Sequence, residues 1–65
     1  MKLSIPDMTC GHCKATVERT ITAVDSAAVV KVDLAGHTVD VTTTAAPEAV
    51  LEALKAEGYP ATVAG

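Results

Sequence analysis

The two cysteines of the chain lie close together, in residues 8–13, which read MTCGHC. The thiolate is the nucleophilic and metal-binding form of cysteine, and a spacer of two residues allows both sulfurs to reach one ion or each other. Gly11 has no Cβ atom and lets the backbone between them bend around a bound group. The spacing is therefore compatible with a redox pair, a structural disulfide, part of a zinc site, or a complete site for a softer ion.

Three of these interpretations meet a physical objection. A structural zinc site needs four ligands, and besides the cysteines the chain offers His12 and His37, which are far apart in sequence. A dithiol oxidoreductase also uses C-x-x-C at a helix N-terminus, but its usual frame is longer, and no aromatic residue precedes the motif here. A disulfide between residues so close would enclose too small a loop to add much stability.

The fourth interpretation is a site for Cu(I). Thiolates select this ion over harder ones. Because Cu(I) accepts two sulfur ligands in a nearly linear arrangement, Cys10 and Cys13 would complete a site that zinc would leave half filled. Two thiolates and one Cu(I) carry one net negative charge, which a helix N-terminus and the nearby Lys14 can stabilise.

Hydrophobic periodicity predicts the elements that hold this motif. Leu3 and Ile5 alternate with polar residues, which predicts a strand over residues 2–6 that Pro6 ends. From Cys13 to Val24 the period becomes helical. The apolar face of this helix is formed by Cys13, Val17, Ile21 and Val24.

A hairpin follows the first helix. Alternation over residues 30–34 and again over residues 38–42 predicts two paired strands. Ala35 and Gly36 are predicted to form the turn between them, with the glycine supplying the positive φ that such connections tend to need.

The C-terminal third predicts a second helix and a last strand. Pro47 suits the first helical turn, Gly58 suits the stop, and residues 60–63 can form a short strand. The resulting order, β-α-β-β-α-β, predicts one ferredoxin-like α+β domain over residues 1–65, with a four-stranded antiparallel sheet and both helices on one face. Predicted core residues of the helices are Val17, Ile21, Val50, Leu51 and Leu54.

Charge and composition exclude several classes of function. The net charge is −3, no cluster of Lys or Arg is present, and the chain has one Tyr and no Phe or Trp, which argues against nucleic-acid binding. No apolar run approaches the roughly 18 residues that a membrane span requires. Residues 1–7 are too short and too interrupted for a signal peptide, so we expect a cytosolic protein whose cysteines stay reduced.

The motif and its predicted position resemble those of a known family. Met-x-Cys-x-x-Cys between a first strand and a first helix is similar to the heavy-metal-associated domain. That family includes small cytosolic copper chaperones and the amino-terminal domains of copper-transporting P-type ATPases. The resemblance covers the whole chain, because residues 57–61, EGYPA, also resemble the glycine–tyrosine loop of the family.

The resemblance implies roles for particular residues. Cys10 and Cys13 would be the Cu(I) ligands, and Tyr59 would lie near the metal loop, where bacterial chaperones often carry Tyr and ATPase domains more often carry Phe. Zinc- and cadmium-selective members often have an acidic residue just before the first cysteine. Thr9 occupies that position here, which favours copper.

Other residues around the motif are expected to play supporting parts. Met8 is expected to pack beneath the loop, because methionine fills irregular gaps well. His12 is expected to be exposed, as an auxiliary ligand or a contact in a copper-bridged homodimer. His37 is expected to be a surface residue of the hairpin.

The expected function is that of a Cu(I) metallochaperone, which is not an enzyme. It would hand copper to the cytosolic metal-binding domain of a copper-transporting P-type ATPase by exchange of thiolates. Three alternatives remain open: an excised N-terminal domain of such an ATPase, a mercury- or zinc-binding relative, and a dithiol redox protein.

Overall fold

The computed structural model describes residues 1–64 as an α+β fold of the ferredoxin-like type. Its element order is the β-α-β-β-α-β order that the sequence predicts. The elements are β1 (Lys2–Ser4), α1 (Gly11–Val24), β2 (Val29–Asp33), β3 (Thr38–Thr42), α2 (Pro47–Ala56) and β4 (Thr62–Val63). Neither helix in this part of the chain has the length and apolar character needed to cross a membrane.

The strands form one antiparallel sheet in the order β2-β3-β1-β4. Successive side chains of a strand point to opposite faces, so the alternation of the sequence produces one apolar and one polar face. On the inner face, Leu3 pairs with Val39, and both are fully buried beside Val41. On the outer face, Lys31 pairs with Asp40, and both are exposed to solvent.

Both helices pack on the inner face of the sheet. They contribute the buried side chains of Val17 and Ile21 from α1 and of Val50 and Leu54 from α2, as predicted, while Leu51 is half-buried at the edge of the core. The core consists of Leu3, Ile5, Met8, Val17, Ile21, Val39, Val41, Val50 and Leu54. Because it contains no aromatic ring, it depends on close packing of aliphatic side chains.

The β2–β3 hairpin corrects one expectation. The residue with positive φ is His37, at 54°, and not Gly36. The amide of Gly36 donates a hydrogen bond of 3.0 Å to Oδ1 of Asp33, and a Cβ atom on Gly36 would lie 2.9 Å from Oδ2 of Asp33 unless that side chain moved. The aspartate side chain therefore occupies the space that a side chain at Gly36 would require.

The ends of four elements also differ from the predicted ones, and β2 covers Val29–Asp33 instead of residues 30–34. β1 ends at Ser4, although the amide of Ile5 still donates to the carbonyl oxygen of His37 at 2.7 Å. α1 begins at Gly11, two residues before the first periodic apolar side chain, because helix starts are set by backbone geometry and need no apolar residue. The last strand is confined to Thr62–Val63.

Candidate metal centre

The two cysteines meet at the N-terminal end of α1. Cys10 is the residue that precedes the helix, with extended backbone angles (φ −150°, ψ 171°), and Cys13 lies in the first helical turn. Their sulfur atoms are 3.4 Å apart. Cys10 is exposed and Cys13 is half-buried, so the pair is open to solvent on one side.

The backbone of the connecting loop explains this arrangement. The amide of Met8 donates to the carbonyl oxygen of Ile5 at 3.0 Å, which turns the chain after β1. The amide of Lys14 then donates to the carbonyl oxygen of Cys10 at 3.0 Å, which is the first hydrogen bond of α1. The tight turn and the start of the helix together place both sulfurs above the same helix end.

The electrostatics of this helix end favour negative charge. The first helical amides have no intrahelical acceptor, and the side chain of Cys10 does not cap them. The first turn of α1 contains no acidic residue. The positive end of the helix dipole is therefore left to interact with an anionic sulfur.

The pKa of the Cys13 thiol is lowered from 9.0 to about 7. The largest cause is the hydroxyl group of Tyr59, which favours the ionised form of the sulfur; the backbone of Thr9 and the side chain of Cys10 add to the effect. Partial desolvation acts in the opposite direction. At neutral pH a substantial fraction of the Cys13 thiol is therefore ionised, which is the form that a thiol needs in order to bind a metal.

Tyr59 reaches the site because of how α2 ends. Gly58 has a φ of 85°, its amide donates to the carbonyl oxygen of Lys55 at 3.0 Å, and the amide of Tyr59 donates to the carbonyl oxygen of Leu54 at 2.9 Å. This pair of bonds is a Schellman motif with glycine in the left-handed position. The pKa of Tyr59 is raised, first by its hydrogen bond to Cys13 and then by desolvation, so its hydroxyl keeps its proton and remains a donor.

The neighbours that the sequence singled out lie in two different environments. Met8 is fully buried in the core beneath the loop. His12 and Lys14 are exposed on the first turn of α1. Lys14 is not among the groups that lower the pKa of Cys13.

One residue that was expected on the surface makes a specific contact with the loop between β1 and α1, which carries Cys10. His37 is half-buried, and its Nδ1 atom lies 2.9 Å from the carbonyl oxygen of Met8. No local pattern could reveal this contact, because it joins the hairpin to a segment that is distant in sequence. The sequence indicates only that His37 could adopt the positive φ of the turn, because histidine tolerates this conformation better than most residues.

The donor set at this site consists of sulfur. Within residues 1–64 no group of three or more His, Cys, Asp or Glu side chains is arranged to hold a metal ion. The geometry therefore offers a pair of thiols that is open to solvent on one side, one of them readily ionised, and this arrangement suits a cation that is satisfied by two sulfur ligands.

The sequence matches a known family over nearly its whole length, because the profile of the heavy-metal-associated domain covers residues 2–60. No curated protein sequence is a significant match. Solved structures of metal-binding proteins resemble the chain closely.

The structure of a gold-binding protein is 43% identical, with a TM-score of 0.91, and the alignment covers 94% of this chain and 94% of that chain. A trimeric form of a mutant copper chaperone Atx1 from Synechocystis PCC6803 is 27% identical, with a TM-score of 0.92 and coverage of 95% and 98%. Oxidised MerP from Ralstonia metallidurans CH34 is 30% identical, with a TM-score of 0.89 and coverage of 98% and 93%.

The fold, the exposed sulfur pair and these matches support a role in binding heavy metals. The family profile carries the assignment, since it spans the metal loop, both helices and the first three strands. This chain belongs to the heavy-metal-associated domain family.

Proposed function

We propose that this protein binds Cu(I) through Cys10 and Cys13 and passes it to a partner by thiolate exchange, without catalysing a reaction. The observation that carries the proposal is the pair of solvent-open sulfurs, 3.4 Å apart, at the N-terminal end of α1. A soft univalent cation completes its coordination with two thiolates, whereas Zn²⁺ would need two more ligands.

The charge of the loaded site supports this ion. Two thiolates and one Cu(I) leave one negative charge, and the uncapped end of α1 stabilises it. A divalent ion with the same two ligands would be neutral and would gain less from the helix dipole. The lowered pKa of Cys13, about 7, reduces the protons that Cu(I) must displace at neutral pH.

Exposure of the sulfurs supports transfer to another protein. A thiolate of the partner adds to the bound Cu(I) and forms a three-coordinate intermediate. One sulfur of this protein then leaves and takes a proton or stays ionised, and a second partner thiolate replaces the other sulfur. Exposed Cys10 is the natural first group to leave, because Cys13 is held by the helix and by its contact with Tyr59.

The proposed partner is the cytosolic metal-binding domain of a copper-transporting P-type ATPase, and the proposed compartment is the cytoplasm. Residues 1–65 would act as one domain, either as a free chaperone or as the amino-terminal domain of such an ATPase. His12 is exposed beside the sulfurs, which suits a contact between two copies that share one copper ion.

The test is an anaerobic titration of the reduced protein with Cu(I) against a chromophoric chelator. We expect the wild type to withdraw one Cu(I) per chain from the chelator. Cys10→Ser and Cys13→Ser should each weaken binding by more than about 100-fold, since loss of an outer-shell partner alone costs 10- to 100-fold.

Ala15→Ser is the matched control, because Ala15 is exposed on the same helix and the change introduces the same side chain. It should bind Cu(I) as tightly as the wild type. Tight binding that survives the loss of either sulfur would refute the proposal.

A second candidate cargo is Au(I), which is favoured by the 43% identity to a gold-binding protein. Au(I) is also a soft univalent ion that takes two sulfur ligands, so the same site serves it. Binding in vitro discriminates poorly between the two metals, because exposed thiols bind gold strongly. The better measurement is the response of expression in the source cells: induction by copper salts supports the first cargo, and induction by gold salts alone supports the second.

A further inference from the structure

The tip of the β2–β3 hairpin holds the loop that carries Cys10. Nδ1 of His37 lies 2.9 Å from the carbonyl oxygen of Met8. The carbonyl oxygen of His37 also accepts a hydrogen bond of 2.7 Å from the amide of Ile5, and the amide of Met8 donates to the carbonyl oxygen of Ile5 at 3.0 Å. One hairpin residue thus contacts both ends of the turn over residues 5–8.

The chemistry of the side-chain contact is defined by its partner. A carbonyl oxygen can only accept, so Nδ1 of His37 carries the proton and donates it to the oxygen of Met8. The ring is half-buried, which limits competition from water. The bond spans 29 positions of sequence, so it fixes the loop against the sheet and not merely against its neighbours.

The backbone of His37 is unusual in a way that points to function. Among residues 1–64 it is the one non-glycine residue with positive φ, at 54°. Glycine would adopt this conformation at lower cost. A backbone outlier beside a binding loop is a reason to ask what its side chain contributes, and here the side chain contributes the bond to Met8.

We propose that His37 is a positioning residue for the metal site: it fixes Met8, and through Met8 it fixes the sulfur of Cys10 relative to that of Cys13. Cys13 lies within the helix, whereas Cys10 precedes it: the carbonyl oxygen of Cys10 accepts the first hydrogen bond of the helix, but its amide belongs to the loop. A held loop is already competent for binding, so Cu(I) does not have to supply the free energy of ordering it. The effect on Cu(I) rests on the function proposed above.

Two substitutions separate the side chain from the backbone. His37→Gly removes the donor and accepts positive φ without strain. His37→Asn keeps an N–H donor at a similar distance from the backbone and also tolerates this conformation. We expect His37→Gly to weaken Cu(I) affinity about fivefold, the equivalent of one ordinary hydrogen bond, and His37→Asn to restore most of it.

A second readout needs no metal. Hydrogen exchange of the Met8 amide reports on the turn over residues 5–8. The control is exchange of the Tyr59 amide, which donates to the carbonyl oxygen of Leu54 at the end of α2. In the reduced apo protein, His37→Gly should speed exchange at Met8 about fivefold and leave Tyr59 unchanged. If His37 only stabilised the fold as a whole, His37→Gly would speed exchange at both amides equally.

The outcomes separate the two proposals. If the wild type fails to bind Cu(I) but exchange at Met8 still responds to His37→Gly alone, the copper function is wrong and the positioning role stands. If the wild type binds Cu(I) and His37→Gly matches it in affinity and exchange, the positioning role is wrong. Equal losses in His37→Gly and His37→Asn would also overturn it, because the donor would then be irrelevant.

Discussion

At the scale of single residues, the two cysteines are not equivalent. The sequence predicts that they are paired and that they lie at a helix start, because the motif and the periodicity are both local. It could not predict that the pKa of Cys13 is lowered, since the largest cause is Tyr59, a residue from the far end of the chain. The contact of His37 with Met8 was hidden for the same reason.

Tyr59→Phe should raise the pKa of Cys13 from about 7 toward 9.0, because it removes the hydroxyl that stabilises the thiolate and keeps the ring. The ¹³Cβ chemical shift of each cysteine, followed by NMR against pH in the reduced apo protein, reports the two thiols separately. A Cys13 titration in Tyr59→Phe that still has its midpoint at about 7 would show that the hydroxyl is not the main cause.

At the scale of elements, the type and order of all six helices and strands in residues 1–64 follow from the pattern of apolar residues. Their ends do not, because strand and helix limits depend on hydrogen bonds between distant segments. The hairpin shows this most clearly. Gly36 was expected to have the positive φ, but it lies against the side chain of Asp33, and the residue with positive φ is His37. The glycine that does end a helix in the expected way is Gly58.

Gly58→Ala should destabilise the protein by about 1–2 kcal/mol, because an L-residue pays that cost in the left-handed conformation. The cost is conformational and not steric, since no atom lies within 4 Å of the added Cβ. Urea unfolding of the reduced apo protein measures it.

Gly11→Ala is the matched control for that substitution. It also has open space around an added Cβ, and it lies in α1 without a positive φ. We expect it to leave stability unchanged or slightly higher, because alanine favours a helix over glycine. Equal destabilisation by both changes would contradict the conformational explanation.

At the scale of the whole molecule, a chain of 65 residues buries little apolar surface, so its free energy of unfolding is small. A domain of this size has a stability of roughly 3–10 kcal/mol. The Cys13 thiol contributes to that stability, because its pKa is about 7 in the folded protein against a reference of 9.0. Between these two values the folded chain binds fewer protons than the unfolded chain.

The free energy of unfolding of the reduced, metal-free protein should therefore rise as the pH increases from about 7 to about 9. Above pH 9.0, the reference pKa for the unfolded chain, the full contribution of Cys13 to stability is present. It is lost as the pH falls toward about 7, the pKa in the folded protein. Cys13→Ser should lack this rise, so denaturant unfolding of both proteins at several pH values tests the linkage. Parallel stability curves for the two proteins would contradict it.

The short distance between the two sulfurs makes the pair sensitive to oxidation. The sulfurs are 3.4 Å apart and Cys10 is exposed, so an oxidant that reaches them can join them as a disulfide. A joined pair has no thiolate left to offer to a cation. The redox state of the compartment therefore sets the fraction of copies whose two sulfurs are free to bind a cation.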